Sequence, residues 1–115
     1  MINIGVVLYI LFMHWVADFA CQNDWMAQGK SKNWFPLISH TLVYSGVLFR
    51  ALGLIGMDMY VALSFAWITF FFHTAQDYIT SRINRKLWTE KKVHYFFVSV
   101  GFDQFLHFTQ LLLTY

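Results

Sequence analysis

The chain has 115 residues, of which 58% are hydrophobic, 21% aromatic and only 12% charged, with a formal net charge of +2. An ordinary soluble domain has about 25% charged residues, and a globule this small cannot hide so much apolar surface from water. The composition therefore excludes an ordinary soluble domain and favours a protein whose main solvent is lipid. The length predicts one transmembrane helical domain over residues 1–115. A lone cysteine excludes an internal disulfide and a thiolate zinc site.

Four long stretches contain almost no charged residues, and each approaches the roughly 20 residues that a membrane-spanning helix needs. They predict helices near residues 2–21, 36–56, 59–81 and 93–114. The first is not expected to be a cleaved signal sequence, because it has no basic start and Asp18 lies where cleavage would occur. The predicted fold class is all-α, an integral membrane four-helix bundle.

Basic residues predict how this bundle is oriented, since Lys and Arg favour cytoplasmic loops. Seven lie in the two loops after the first and third predicted helices, whereas Arg50 alone lies toward the opposite side. Both termini are therefore expected on the non-cytoplasmic side of the membrane. We expect the basic and aromatic residues of the Arg82–Lys92 loop to contact anionic lipid headgroups, not nucleic acid, because the basic patch is short.

Seven ionisable side chains interrupt the apolar stretches. Three of the predicted helices carry one His and one Asp four positions apart, a spacing that places both on one helix face. The second helix contributes a single histidine. The seven residues are His14, Asp18, His40, His73, Asp77, Asp103 and His107. Carboxylates that faced lipid would be costly, so we expect these side chains to converge inside the bundle.

Imidazole nitrogens and carboxylate oxygens are the usual ligands of zinc, manganese and iron. We therefore predict that the seven residues form a site for one or two divalent metal ions, open to the cytoplasmic leaflet. Gln22, Gln76 and Gln104 share the polar stripes, and we expect them to orient the ligands or contact a substrate. A bound metal with an open position activates water and polarises a phosphoryl or acyl group. No residue is assigned a catalytic role.

Three other interpretations remain open. The polar side chains could form only a hydrogen-bonded network between membrane helices. They could also form a proton or ion pathway. Finally, Asp18 and Asp77 could pair with basic residues such as Lys30 or Arg82 at the membrane surface.

The motifs resemble one known family. HWVADFACQNDWMAQGK at 14–30, His40 in ISHTLVY, HTAQDY at 73–78 and DQFLH at 103–107 are similar to the domain-of-unknown-function 3307 family, which comprises small multi-pass membrane proteins of bacteria and phages. The resemblance covers nearly the whole chain and implies a multi-pass protein of the bacterial inner (cytoplasmic) membrane. One departure is that Thr80 and Ser81 stand where such sequences often have a basic residue.

A more distant resemblance links the H-x-x-x-D motifs to helical zinc-dependent phospholipases and nucleases and to metal-dependent membrane hydrolases. It implies a hydrolase acting on a phosphate ester or lipid headgroup. The alternative is a non-enzymatic membrane protein, either a proton or ion carrier or a bundle that binds a membrane-protein partner. A homo-oligomer is compatible with each of these functions.

Overall fold

The computed structural model describes residues 3–115, and these residues form only helices and short connections. The first helix, α1, is continued by a π-helical segment, and a short helix follows before three long ones. The bounds are Ile4–Trp15 for α1, Val16–Ala20 for the π-helical segment, Asp24–Gly29 for α2, Trp34–Leu54 for α3, Met59–Thr89 for α4 and Val93–Thr114 for α5. The all-α class predicted from the sequence is confirmed.

Side-chain oxygens cap three of the helices at their N-termini, where backbone N–H groups have no intrahelical acceptor. Asn3 Oδ1 accepts from the backbone of Gly5 and Val6 before α1. Asn23 caps α2 in the same way. Asp58 caps α4 by accepting from two backbone N–H groups, which explains this acidic residue in a short, otherwise apolar turn.

The four long helices run antiparallel to their sequence neighbours and close into a ring. Tyr9 near the start of α1 donates to the backbone oxygen of Ala51 near the end of α3. His14 in α1 contacts Gln104 in α5, which closes the ring. The start of α1 and the end of α5 consequently lie at the same end of the bundle, as expected for four alternating helices.

One end of the bundle has an apolar core and the other has a polar interior. The apolar cluster lies toward the start of α1 and the end of α5, and it consists mainly of Ile10, Tyr44, Leu48, Leu52, Ala62, Phe65 and Leu111. The buried ionisable side chains lie toward the opposite end, nearer to α2. The bundle is therefore closed by hydrophobic packing on only one side of the polar cluster.

The predicted helix bounds agree closely with the structure at α5 and within two residues at α3. The predicted start at residue 2 lies outside the described residues. The predicted end of the third helix at residue 81 is wrong, since α4 continues to Thr89. Most of the predicted Arg82–Lys92 loop is thus helical. The short helix α2 was not predicted.

The end of α4 explains this error. Lys91 has a positive φ of 59°, and Lys91 and Lys92 donate backbone N–H bonds to the oxygens of Trp88 and Leu87. This is the Schellman arrangement, which usually has glycine at the left-handed position. Because lysine occupies that position here, the sequence contains no recognisable stop signal.

Two of the described helices, α3 and α5, are long and apolar enough to cross a membrane. The continuous apolar segment Ile4–Ala20 is shorter. By this measure the structure contains two candidate spans, where the sequence analysis predicted four.

Candidate metal centre

The seven predicted ionisable residues are all buried, although they come from four different helices. Their relative exposures lie between 0% and 7%. Six of them form two groups whose possible ligand atoms lie within 4.8 Å of one another. Asp18, His40, His73 and Asp77 form the first group, and Asp77, Asp103 and His107 form the second. The structure thus brings together the side chains that the helical spacing indicated.

The first group surrounds His40 Nε2. This nitrogen lies 3.0 Å from Asp18 Oδ1, 3.2 Å from Asp77 Oδ2 and 3.2 Å from His73 Nε2. His73 Nε2 lies 3.6 Å from the same Asp18 oxygen and 3.3 Å from the same Asp77 oxygen. Two nitrogens and two carboxylate oxygens therefore point at one common volume.

These separations fit a bound metal ion. Ligand atoms held about 2.0–2.1 Å from one tetrahedral ion lie roughly 3.3–3.4 Å apart. Five of the six separations in the first group lie between 3.0 and 3.6 Å. The group can therefore hold a metal ion with little movement of its side chains.

The second group is built around His107 Nε2. It lies 3.3 Å from Asp77 Oδ1 and 3.4 Å from Asp103 Oδ1. Asp77 belongs to both groups, but it presents a different oxygen to each: Oδ2 to His40 and His73, Oδ1 to His107. This group offers three side chains, one fewer than the first.

His14 belongs to neither group. Its Nδ1 is 2.6 Å from the Tyr44 hydroxyl, its Nε2 is 2.7 Å from Gln104 Oε1, and Nε2 is 3.7 Å from Asp18 Oδ2. Both ring nitrogens thus already have hydrogen-bond partners. The assignment of His14 as a metal ligand stays a prediction, and the structure places it beside the centre.

Two of the three predicted glutamines contact Asp103. Gln76 Nε2 donates to Asp103 Oδ1 over 2.9 Å, and Gln104 Nε2 donates to Asp103 Oδ2 over 3.3 Å. These bonds fix the carboxylate that faces His107, as expected for groups that orient a ligand. The side-chain oxygen of Gln22 is buried without a hydrogen-bond partner among the described residues, and its proposed role stays a prediction.

Aromatic stacking orders the histidines. The His73 ring stacks on Tyr44 with a centroid distance of 3.8 Å and on His107 at 4.2 Å. The stack fixes the planes of both rings, and it leaves the Nε2 atoms of His73 and His107 facing different oxygens of Asp77.

The π-helical segment carries Asp18 into the centre. The Cys21 backbone N–H bonds the oxygen of Val16, five residues earlier, and Asp18 is 4% exposed. Such segments are rare and are frequently found at functional sites. The sequence spacing alone did not indicate this widened turn.

Comparison with known families agrees with the motif resemblance. The sequence model of a protein family described as "Protein of unknown function (DUF3307)" matches residues 6–115. The chain belongs to the DUF3307 family. No curated protein and no solved structure matches it.

One further side chain reaches the centre of this DUF3307 protein from outside the long helices. Lys30 Nζ donates to Asp77 Oδ2 over 3.5 Å, and its side chain is 20% exposed. From the sequence alone, this ion pair is only one of the alternatives. The other basic residue considered, Arg82, instead lies over the Tyr78 ring with its Cζ 3.7 Å from the centroid.

Lys30 also lines a cavity of about 840 Å³ between α2 and the basic end of α4. Its walls combine positive charge with aromatic surface, and the residues that give it this character are Lys30, Lys32, Arg85, Trp88, Phe96 and Phe97. Lys30 is the side chain that joins this cavity to the centre, since it both lines the cavity and contacts the Asp77 carboxylate. The DUF3307 chain therefore has a basic, partly apolar cavity next to its His/Asp cluster.

Proposed function

We propose that this DUF3307 protein is an integral membrane protein with four membrane-crossing helices around a divalent metal centre, and that it hydrolyses a phosphate ester or a lipid headgroup. The observation that carries the proposal is the close spacing of four ligand atoms, namely His40 Nε2 and the three atoms of Asp18, His73 and Asp77 around it.

The surface supports insertion into lipid. Large side chains such as Phe71, Phe102 and Phe105 are each at least 58% exposed, whereas His and Asp residues fill the interior. In a soluble protein, exposed apolar surface of this extent marks a site that binds a membrane or another protein. A bilayer around the helices would cover it without any rearrangement of the fold.

The charge balance supports a bound cation. Three buried carboxylates and one ammonium, that of Lys30, meet at the centre. When the histidines are neutral, as metal ligation requires, two net negative charges remain away from water and need a counter-ion. One divalent ion would neutralise them. Zinc, manganese and iron all accept this mixture of imidazole and carboxylate.

The centre is open on one side only, which favours an enzyme over a proton or ion pathway. The apolar cluster around Leu48, Leu52 and Phe65 closes the bundle beyond the centre, while the basic cavity lies on the other side. The polar side chains described on that closed side include Gln110, which donates to Thr69 and Thr114, and these groups are uncharged, whereas a proton pathway across the membrane would need titratable groups there. A hydrolase needs one opening, and Lys30 places positive charge where a phosphate group would enter.

Each residue of the centre would have its own role in hydrolysis. A metal ion there would polarise the phosphoryl group and activate water. Gln76 and Gln104 would hold Asp103, and Lys30 would exchange its bond to Asp77 for one to a phosphate oxygen. The aromatic residues of the cavity would pack against the apolar part of a lipid substrate. The basic end of α4 would face cytoplasmic headgroups.

Metal analysis of detergent-purified protein tests the proposal, combined with hydrolysis assays on a chromogenic phosphate diester and on phospholipid vesicles. We expect stoichiometric metal and hydrolysis in the wild type, and loss of both in His73→Ala and Asp103→Asn. His94→Ala and Asp24→Asn are matched controls, because both residues are exposed. Metal-free wild-type protein with an intact fold would contradict the metal centre, and hydrolysis that survives both site variants would contradict the enzyme.

One observation favours a second candidate, a non-enzymatic bundle. Each carboxylate of the cluster already contacts a side chain from another helix, for instance Asp18 with His40 and Asp103 with Gln76. Such a network could hold the helices together without metal. It predicts metal-free protein that unfolds when His73 or Asp103 is replaced, and it leaves partner binding as the function.

A further inference from the structure

The two carboxylate oxygens of Asp77 face different histidines. Oδ2 lies 3.2 Å from His40 Nε2 and 3.3 Å from His73 Nε2, whereas Oδ1 lies 3.3 Å from His107 Nε2. A carboxylate with ligand groups on both oxygens is the usual bridge between paired metal ions in helical bundles. The side chain is 2% exposed, so packing holds it in this position.

We propose that Asp77 bridges two divalent cations, one held by Asp18, His40 and His73 and the other held by Asp103 and His107. This inference rests on the proposed metal centre and extends it. The first position has four protein ligands including Asp77, a number that completes a tetrahedral shell. The second has three, which leaves room for a ligand from solution, as in catalytic sites.

The net charge of the site with two cations indicates that the ligand from solution is an anion. Two divalent cations bring more positive charge than the three carboxylates carry, and Lys30 adds another. An anion is needed to balance the excess. A phosphate group fits, because the basic cavity with Lys32 and Arg85 opens beside Lys30. The second cation should therefore bind best when phosphate is present.

Substitution of a single histidine can weaken metal binding at one of the two proposed positions without removing a ligand from the other. His107 contacts Asp77 and Asp103 but belongs only to the second group, while His40 belongs only to the first. Paired metal ions with a shared bridge lie about 3.5–4 Å apart. At this distance two Mn²⁺ ions interact magnetically, so electron paramagnetic resonance can distinguish a bridged pair from two isolated ions.

The experiment loads detergent-purified full-length protein with Mn²⁺, with and without inorganic phosphate, and measures bound metal and the resonance spectrum. We expect two coupled ions per chain in the wild type, with the second bound more tightly in phosphate. His107→Ala should retain one uncoupled ion. His107→Gln, which keeps a polar side chain of similar size, should behave the same way if the alanine variant unfolds, and His94→Ala should match the wild type.

The possible failures are distinguishable. One ion per wild-type chain that is kept in His107→Ala and lost in His73→Ala would overturn the second position and leave the metal centre intact. Two ions without magnetic coupling would overturn the Asp77 bridge. No bound ion in folded wild-type protein would overturn the proposed function and this inference together. Second-ion binding that phosphate leaves unchanged would overturn the anion requirement.

Discussion

Lys30 Nζ lies 3.5 Å from Asp77 Oδ2, although 47 positions separate the two residues. The lysine follows α2, a short helix between α1 and α3, and it is the one basic side chain that the described ion pairs join to the buried cluster. Its ammonium group donates to Asp77 Oδ2, the same oxygen that faces His40 and His73. Any cation that binds there competes with the ammonium group.

Lys30→Met should therefore strengthen divalent cation binding and weaken phosphate binding. Removal of the competing charge should raise Mn²⁺ affinity by about tenfold, which corresponds to about 1.4 kcal/mol. Calorimetric titration of purified protein with Mn²⁺, and then with phosphate, would measure both effects. Lys32→Met is the matched control, since Lys32 lines the same cavity but is exposed. Equal Mn²⁺ affinities in the two variants would contradict the competition.

Gly29 determines how closely α2 approaches α3, and thereby where Lys30 lies. A Cβ at Gly29 would lie 2.7 Å from Pro36 Cγ, whereas a Cβ at Gly46 would meet nothing within 4 Å. Gly29→Ala should destabilise the protein by about 1–3 kcal/mol, the usual cost of overpacking. Gly46→Ala should be neutral or stabilise α3 by up to about 1 kcal/mol.

Thermal unfolding in detergent compares the two glycine variants. We expect a lower midpoint for Gly29→Ala and an equal or higher one for Gly46→Ala. Gly29→Ala should also move Mn²⁺ affinity in the same direction as Lys30→Met, because it displaces the lysine. Equal unfolding midpoints would show that α2 can move away from Pro36 without loss of stability. Gly29 would then not determine where Lys30 lies.

The sequence was sufficient to predict the long helices and the convergence of the ionisable side chains. Charge-free stretches begin at or next to the first residues of α3 and α4, and the four-residue spacing of His14 and Asp18 places both on one inward face. Contacts that depend on how connections fold could not be predicted. The ion pair between Lys30 and Asp77 requires α2 to pack on α3 through Gly29, and neither local spacing nor composition encodes that packing.

One error and one untested assignment have separate physical origins. The end of α4 was missed because Lys91, not glycine, adopts the left-handed conformation there. The role of His14 was predicted from its spacing to Asp18, but the Tyr44 hydroxyl on the facing helix has a shorter contact with its ring. Spacing along one helix shows which side chains share a face, but not which partner on the next helix binds them.

Tyr44→Phe tests whether His14 supports the centre. Loss of the hydroxyl leaves the buried His14 Nδ1 without its partner, which should cost about 1–3 kcal/mol of stability. It should also lower metal affinity by roughly tenfold, as loss of an orienting hydrogen bond does at other metal sites. Denaturant unfolding and Mn²⁺ binding are the measurements.

Tyr9→Phe provides the matched control for Tyr44→Phe. Tyr9 donates to the Ala51 backbone oxygen over 2.7 Å, away from the ionisable cluster. Its loss should reduce stability by about 1 kcal/mol and leave metal affinity unchanged. If both variants bind Mn²⁺ like the wild type, the bond between Tyr44 and His14 contributes to stability and not to metal binding.

The proposed orientation can be tested with Cys21, the one cysteine of the chain, which is exposed near the end of α1. A membrane-impermeant maleimide should not label it in intact bacterial cells, because the basic Lys30 end of the bundle is proposed to be cytoplasmic. A Cys21→Ser, Ile55→Cys variant moves the thiol to the opposite turn, where Ile55 is 44% exposed, and it should be labelled. Permeabilised cells should label both proteins. Labelling of Cys21 alone in intact cells would reverse the orientation, and recovery of the protein in the soluble fraction would rule out the four-span arrangement.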